Sequence, residues 1–148
     1  MARFALVFLL LPAACAPEPP PSPDLAVNKQ MIWDVIKSYH EAADRCDPDA
    51  QLALMIPDVS LVRRHDEIVR GSEAVGRVLR ERAKGAEGQE WNTVVGKEDI
   101  RVEGDLAYAT YLASVGQQRG VITALFRRVK GKWLIAHFHD TWSGTSGK

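Results

Sequence analysis

Apolar positions recur every three or four residues in the first half of the chain and every second residue in the second half, a change of period that predicts helices followed by strands. Ile32, Val35, Ile36, Tyr39, Ala43 and Cys46 form one stripe, which predicts a long amphipathic helix that Asp24 can cap. Cys46 reads as a small core residue at its end. Asp47-Pro48-Asp49 stops that helix, and Asp49 can cap a short second one over 50–55, ahead of a break at Pro57. Residues 59–63 and 67–69 read as short strands around the turn Arg64-His65-Asp66. Gly71-Ser72-Glu73 opens a third helix, with Val75, Val78 and Leu79 on its inner face and an end near Gly85. Four strands follow, at about 90–103, 106–116, 121–129 and 133–142; their separators, Gly104-Asp105, 117–120 and Lys130-Gly131, have hairpin length and chemistry. The fold class expected is α+β: a cone-shaped, curved antiparallel sheet wrapped around an N-terminal layer of about three helices.

The closing strand concentrates the chemistry. In a regular strand Trp133, Ile135, His137, His139 and Thr141 share one face, and Leu134, Ala136, Phe138, Asp140 and Trp142 share the other. Two of the four histidines then point the same way. That face is the expected pocket wall, with Trp133, Ile135, His137 and His139 lining it and Tyr39 offering a hydroxyl from the first helix. His137 and His139 are the candidates for acid-base work, because imidazole titrates near neutral pH. The competing reading gives them structural or ligand-positioning roles. Asp140 is expected on the far side, as a solvated carboxylate at the strand end.

The other aromatic and charged residues change the picture less. Trp33 and His40 are a heptad apart and off the main apolar stripe, which suits a dimer contact or a lid. Trp91 and Trp142, with Trp133, read as core or pocket wall. Tyr108 and Tyr111 lie on opposite faces of their strand, and Arg63, Arg127 and Arg128 read as solvated or ion-paired edge residues. His-x-His matches a two-ligand metal spacing, but a third ligand would have to come from His40, His65 or a carboxylate, so no metal and no cofactor is expected.

Composition narrows the partners. Lys plus Arg and Asp plus Glu are 19 each in 148 residues, and scattered, so no field exists to hold nucleic acid. The first residues read as an address: Arg3, an apolar run over 4–11, then Leu11-Pro12-Ala13-Ala14-Cys15, which resembles the lipobox of bacterial lipoproteins. Residues 1–14 are then a signal peptide and Cys15 the lipidated first residue, with plain secretion as the alternative. Consecutive prolines in the segment 16–23 favour an extended spacer of roughly 25 Å, so 15–24 reads as lipidated cysteine and tether. The expected location is the bacterial cell envelope, anchored by lipid and facing the periplasm. Acylation of Cys15 leaves only Cys46, so no internal disulfide can form.

Three segments carry a resemblance to a known superfamily: Ala42-Ala43-Asp44-Arg45-Cys46-Asp47-Pro48-Asp49; Pro57-Asp58-Val59 leading to Ile68-Val69-Arg70-Gly71-Ser72-Glu73-Ala74-Val75; and Phe126-Arg127-Arg128-Val129-Lys130-Gly131-Lys132-Trp133 with its strand. Over 25–144 the chain resembles the nuclear-transport-factor-2-like superfamily, in its SnoaL-like and ketosteroid-isomerase-like bacterial branch, leaving 145–148 as a disordered tail. The last segment is also similar to the hub domain of calcium/calmodulin-dependent kinase II. Ala113 and Ala124 stand where that hub places pocket arginines, which argues against an anion pocket here. The resemblance implies the cone and a homodimer formed through the sheet, but no single reaction. The functional expectation is a domain binding a small, largely apolar molecule in its cone. The alternatives are a lyase or isomerase using a pocket histidine, and a non-enzymatic dimerising interaction module.

Overall fold

A computed structural model of the chain describes residues 23–62, 67–86 and 91–143; the expected export signal, Cys15, most of the expected tether, Arg63, His65 and the expected tail 145–148 lie outside them. Nine elements follow in order: α1 (Pro23–Asp44), α2 (Pro48–Ala53), β1 (Met55–Val62), β2 (Ile68–Arg70), α3 (Ser72–Gly85), β3 (Val94–Glu103), β4 (Leu106–Val115), β5 (Gln118–Val129) and β6 (Lys132–Ser143). The six strands form one sheet in the order β2-β1-β6-β5-β4-β3, antiparallel except where β1 runs parallel to β6. The expected α+β cone is the fold observed: helices at the N-terminus, then a curved, unclosed sheet around them.

The helix stripe and the strand alternation meet in a single core. Ile32, Ile36 and Tyr39 of α1, Val75 and Leu79 of α3, and Tyr111, Ile122, Phe126 and Phe138 of the sheet are all buried. Each such side chain withdrawn from water stabilises the fold by about 1.5–3 kcal/mol. Trp133 Nε1 donates to Asn28 Oδ1 at 3.0 Å, tying the first turns of α1 to β6 without leaving the indole N–H unsatisfied. At the other end of α1, Asp44 accepts from the Thr93 amide at 2.8 Å, fixing the entry to β3.

Local expectations hold except at a few boundaries: α1 starts at Pro23, so Asp24 lies inside its first turn rather than capping it, and α2 ends at Ala53, with Met55 already in β1. The cap of α2 is Asp47, whose Oδ1 accepts from the Ala50 amide at 2.9 Å; Asp49 instead lies inside the first turn and pairs with Arg80. Pro57 does not end an element. It lies within β1, in the stretch between Met55 and Ser60 where the pairing with β6 is irregular, so its missing N–H breaks no regular ladder. The β5–β6 turn is Lys130-Gly131 with both φ positive, 49° and 80°, as a type I′ hairpin requires.

The decisive local feature is a bulge. Leu125 pairs with His137 but Phe126 pairs with Ile135, so Ala136 is an extra residue in β6. One inserted residue reverses the side-chain parity beyond it. Trp133 and Ile135 point into the core, and so do Phe138, Asp140 and Trp142, whereas His137 and His139 are turned to the outer face beside Leu125 and Thr123.

Candidate functional site: the mouth of the cone

Between the C-terminal halves of α1 and α3 and the inner face of the sheet lies a cavity of about 880 Å³. Leu79, Ile122, Phe138, Trp91 and Trp142 give it apolar walls, and Tyr39, His40, Arg82 and Asp140 give it polar ones. An apolar wall facing convergent polar groups is the usual makeup of a small-molecule site, and here Asp44, Gln51 and Glu67 add to the polar side.

The polar groups are positioned by packing. Tyr39 lies on Phe138 with ring centroids 4.7 Å apart, and meets the His40 ring edge-on at 5.4 Å. Its ring is buried, yet its hydroxyl has no hydrogen-bond partner among the described residues. No buried side-chain polar atom among them is unsatisfied, so this hydroxyl opens to the cavity. Burial pushes the Tyr39 phenol up to about 12, with Asp140 adding to the shift and Arg82 opposing it, so the group is a donor at neutral pH.

His40 Nε2 shares a hydrogen bond of 2.9 Å with the Tyr111 hydroxyl, across the domain from α1 to β4. Burial pushes the imidazole down to about 4, against the opposing pull of Asp44 and Asp140; the Tyr111 phenol is raised, again chiefly by burial. The pair is therefore neutral at pH 7 and works as a brace under Tyr39. Asp140 is one of three carboxylates that line the cavity, with Glu67 and with Asp44, which Thr93 holds. Asp140 Oδ2 accepts from Trp142 Nε1 at 3.1 Å and lies 3.8 Å from Arg82 Nη1, while Oδ1 takes no partner among the described residues.

Several sequence-based expectations change here. Tyr39 lines the cavity, but Trp133 and Ile135 are core residues behind it. His137 and His139 do not line it, because the bulge at Ala136 turns them outward; His137 Nδ1 instead shares a 2.8 Å hydrogen bond with Ser60 Oγ. Asp140 is not a solvated strand end, since its side chain is 12% exposed. Trp33 and His40 face inward rather than toward a partner or solvent: α1 is enclosed widely enough that Trp33 meets Tyr111 edge-on at 6.1 Å. Cys46, past the end of α1 with φ of 54°, is a half-buried cavity residue rather than core. Arg127 and Arg128 pair with Asp58 and Asp105. Among the described residues no cluster of three or more His, Cys, Asp or Glu could hold a metal.

A signal for Asp140 was present in the chain. Phe138 and Trp142 flank it at two-residue spacing, and burying both aromatics takes Asp140 inside with them. The His40–Tyr111 bond joins residues 71 positions apart, and no local pattern announces it.

Comparisons with known proteins agree with the geometry. The model of the SnoaL-like domain matches residues 32–141. Among solved structures, a candidate dehydratase of the nuclear-transport-factor-2-like family from Streptomyces avermitilis superposes with a TM-score of 0.70 at 19% identity, covering 84% of this chain and 100% of that one. A nuclear-transport-factor-2-like protein with a cystatin-like fold from Novosphingobium aromaticivorans gives 0.69 at 18% identity, covering 82% and 86%. The association domain of C. elegans calcium/calmodulin-dependent kinase II gives 0.69 at 16%, covering 81% and 99%. No curated protein matches the sequence significantly. The helical layer, the curved sheet and the span of the family match together make this chain a member of the SnoaL-like domain family, built on the nuclear-transport-factor-2-like fold.

Proposed function

We propose that the cone binds a small, largely apolar molecule whose polar end meets Tyr39 and Asp140. The observation that carries this is the pair of unfilled hydrogen-bonding positions, the Tyr39 hydroxyl and Asp140 Oδ1, facing the apolar wall of Leu79, Ile122, Phe138 and Trp142 in a cavity of about 880 Å³. A phenol that donates and a carboxylate that accepts suit an uncharged ligand carrying both a carbonyl and a hydroxyl. Thermal denaturation against a panel of polycyclic and aromatic ketones and phenols tests it. Stabilising compounds should lose their effect in Ala83→Phe, which puts a ring into the cavity, and weaken in Asp140→Asn. Stabilisation that survives Ala83→Phe would sink the reading.

A second reading, a lyase or isomerase, draws on the same two groups. Asp140 would take a proton from the carbon next to a carbonyl while Tyr39 donates a hydrogen bond to the oxygen that gains charge. The proton then returns at another carbon, or leaves with a departing hydroxyl as water. Exchange of that hydrogen for deuterium from solvent, lost in Asp140→Asn, is the expected signature; retention of exchange in the variant would contradict it.

The setting we propose is the cell envelope, with Cys15 acylated and the proline segment as a spacer, and a homodimer formed through the outer sheet face. The support for the anchor is the run of residues 4–15. Mass spectrometry of protein extracted from membranes should find a lipid mass on Cys15, and an unmodified thiol there would refute the anchor.

A further inference from the structure

The bulge that removes His137 and His139 from the cavity places them in the middle of the sheet's exposed face. The pairing registers set out that face in rows. Tyr108, Leu125, His137 and Ser60 make one row; Thr110, Thr123, His139 and Val62 make the next; Leu112, Val121 and Thr141 make a third. Leu112, Val121 and Leu125 are 40%, 47% and 45% exposed, so the imidazoles share a solvent-open, uncharged face with apolar side chains and the hydroxyls of Ser60, Thr110, Thr123 and Thr141. Five strands spaced about 4.8 Å apart and about ten residues long give a face of roughly 800 Å², the area each partner contributes to a stable complex. The charges around it are largely matched within the chain, Arg127 with Asp58 at 3.7 Å and Arg101 with Asp99 at 3.6 Å. Such a face offers little to a charged partner and suits a second copy of itself across a two-fold axis.

We propose that this face joins two copies of the chain only while His137 and His139 are neutral, so that acid separates them. The inference rests on the homodimer reading above. Groups facing the imidazoles reinforce it: from β2 comes Arg70, from β5 Arg127 with its Asp58 partner on β1, and from β1 the Ser60 hydroxyl, which holds His137. No unpaired carboxylate among these would reward a proton on either ring. The His137 imidazole already titrates below its usual range, by burial first and then by the His139 and Arg70 charges. Closing a second sheet over it extends that burial. Every imidazole that must shed its proton to associate weakens the dimer by about tenfold per pH unit below its own midpoint.

Sedimentation velocity on the full-length chain over a concentration series, at pH 7.5 and 5.5, tests this. The dimer should weaken at least tenfold at pH 5.5, with circular dichroism showing the fold retained. His137→Asn combined with His139→Gln should dimerise equally at both values, and Val121→Arg should be monomeric at pH 7.5. A wild-type dimer indifferent to pH, or a double variant with the wild-type pH response, overturns the switch and leaves the dimer standing. A wild-type chain that is monomeric at pH 7.5, or a Val121→Arg chain that still dimerises, overturns the face itself.

Discussion

Burial of His40 between Tyr39, Tyr111 and Phe138 makes the folded chain a poorer proton acceptor than the unfolded one. Its imidazole titrates at about 4 in the fold and at the ordinary value of 6.5 when unfolded. The unfolded state therefore binds more protons between those values. The stability this gives is complete above about 6.5 and is lost as pH falls toward 4, by a total on the order of 3 kcal/mol. Urea denaturation should show the wild type losing stability between pH 6.5 and 4.5 more steeply than His40→Gln, which has no imidazole to titrate. Equal slopes would contradict the burial argument. Gly120 makes a second prediction at this scale. A Cβ there would come within 2.9 Å of the Trp142 ring and 3.0 Å of the Thr141 carbonyl. Gly120→Ala should cost about 1–3 kcal/mol by overpacking, and should shift tryptophan fluorescence as the indole leaves Asp140.

At the level of elements, period and punctuation were enough to place the helices and strands. The third helix is observed over Ser72–Gly85, and the four C-terminal strands lie within a few residues of their expected limits. Which face of β6 lines the cone is legible only in part: Phe138 and Trp142 mark the side of Asp140, but the reversal after Trp133 and Ile135 turns on the single residue Ala136, and alanine carries no bulge signature of the kind glycine gives. Counting by twos from Trp133 put the histidines inside; counting back from Phe138 and Trp142 puts Asp140 there. Deleting Ala136 would restore regular pairing and turn Phe138, Asp140 and Trp142 to solvent. We expect that variant to lose cooperative thermal unfolding, and a native-like transition would show that the bulge does not set the face. The cap of α2 differs from its expected position by two residues for a simpler reason. Asp47 and Asp49 flank Pro48 symmetrically, and only the geometry shows that proline occupies the first helical position, leaving Asp47 as the cap. Asp47→Ala should cost about 1 kcal/mol in chemical denaturation.

For the whole molecule, the long α1 and the curved sheet close on each other along most of their length and part at one end, where α3 and the segment 91–93 form the rim of the cavity. The fold was readable because helices followed by an antiparallel meander have few ways to pack. The site was less so, because its members come from α1, α3 and β6 and meet only in three dimensions. The two faces of the sheet divide the roles: the inner one carries Asp140 across the cavity from Tyr39 and His40 of α1, and the outer one carries His137 and His139. Nuclear magnetic resonance titration of the labelled chain with a compound that stabilises it separates these faces residue by residue. Shifts are expected at Tyr39, His40, Trp91, Asp140 and Trp142, with Leu125, His137 and His139 unmoved; shifts confined to the outer face would show that the ligand does not enter the cone.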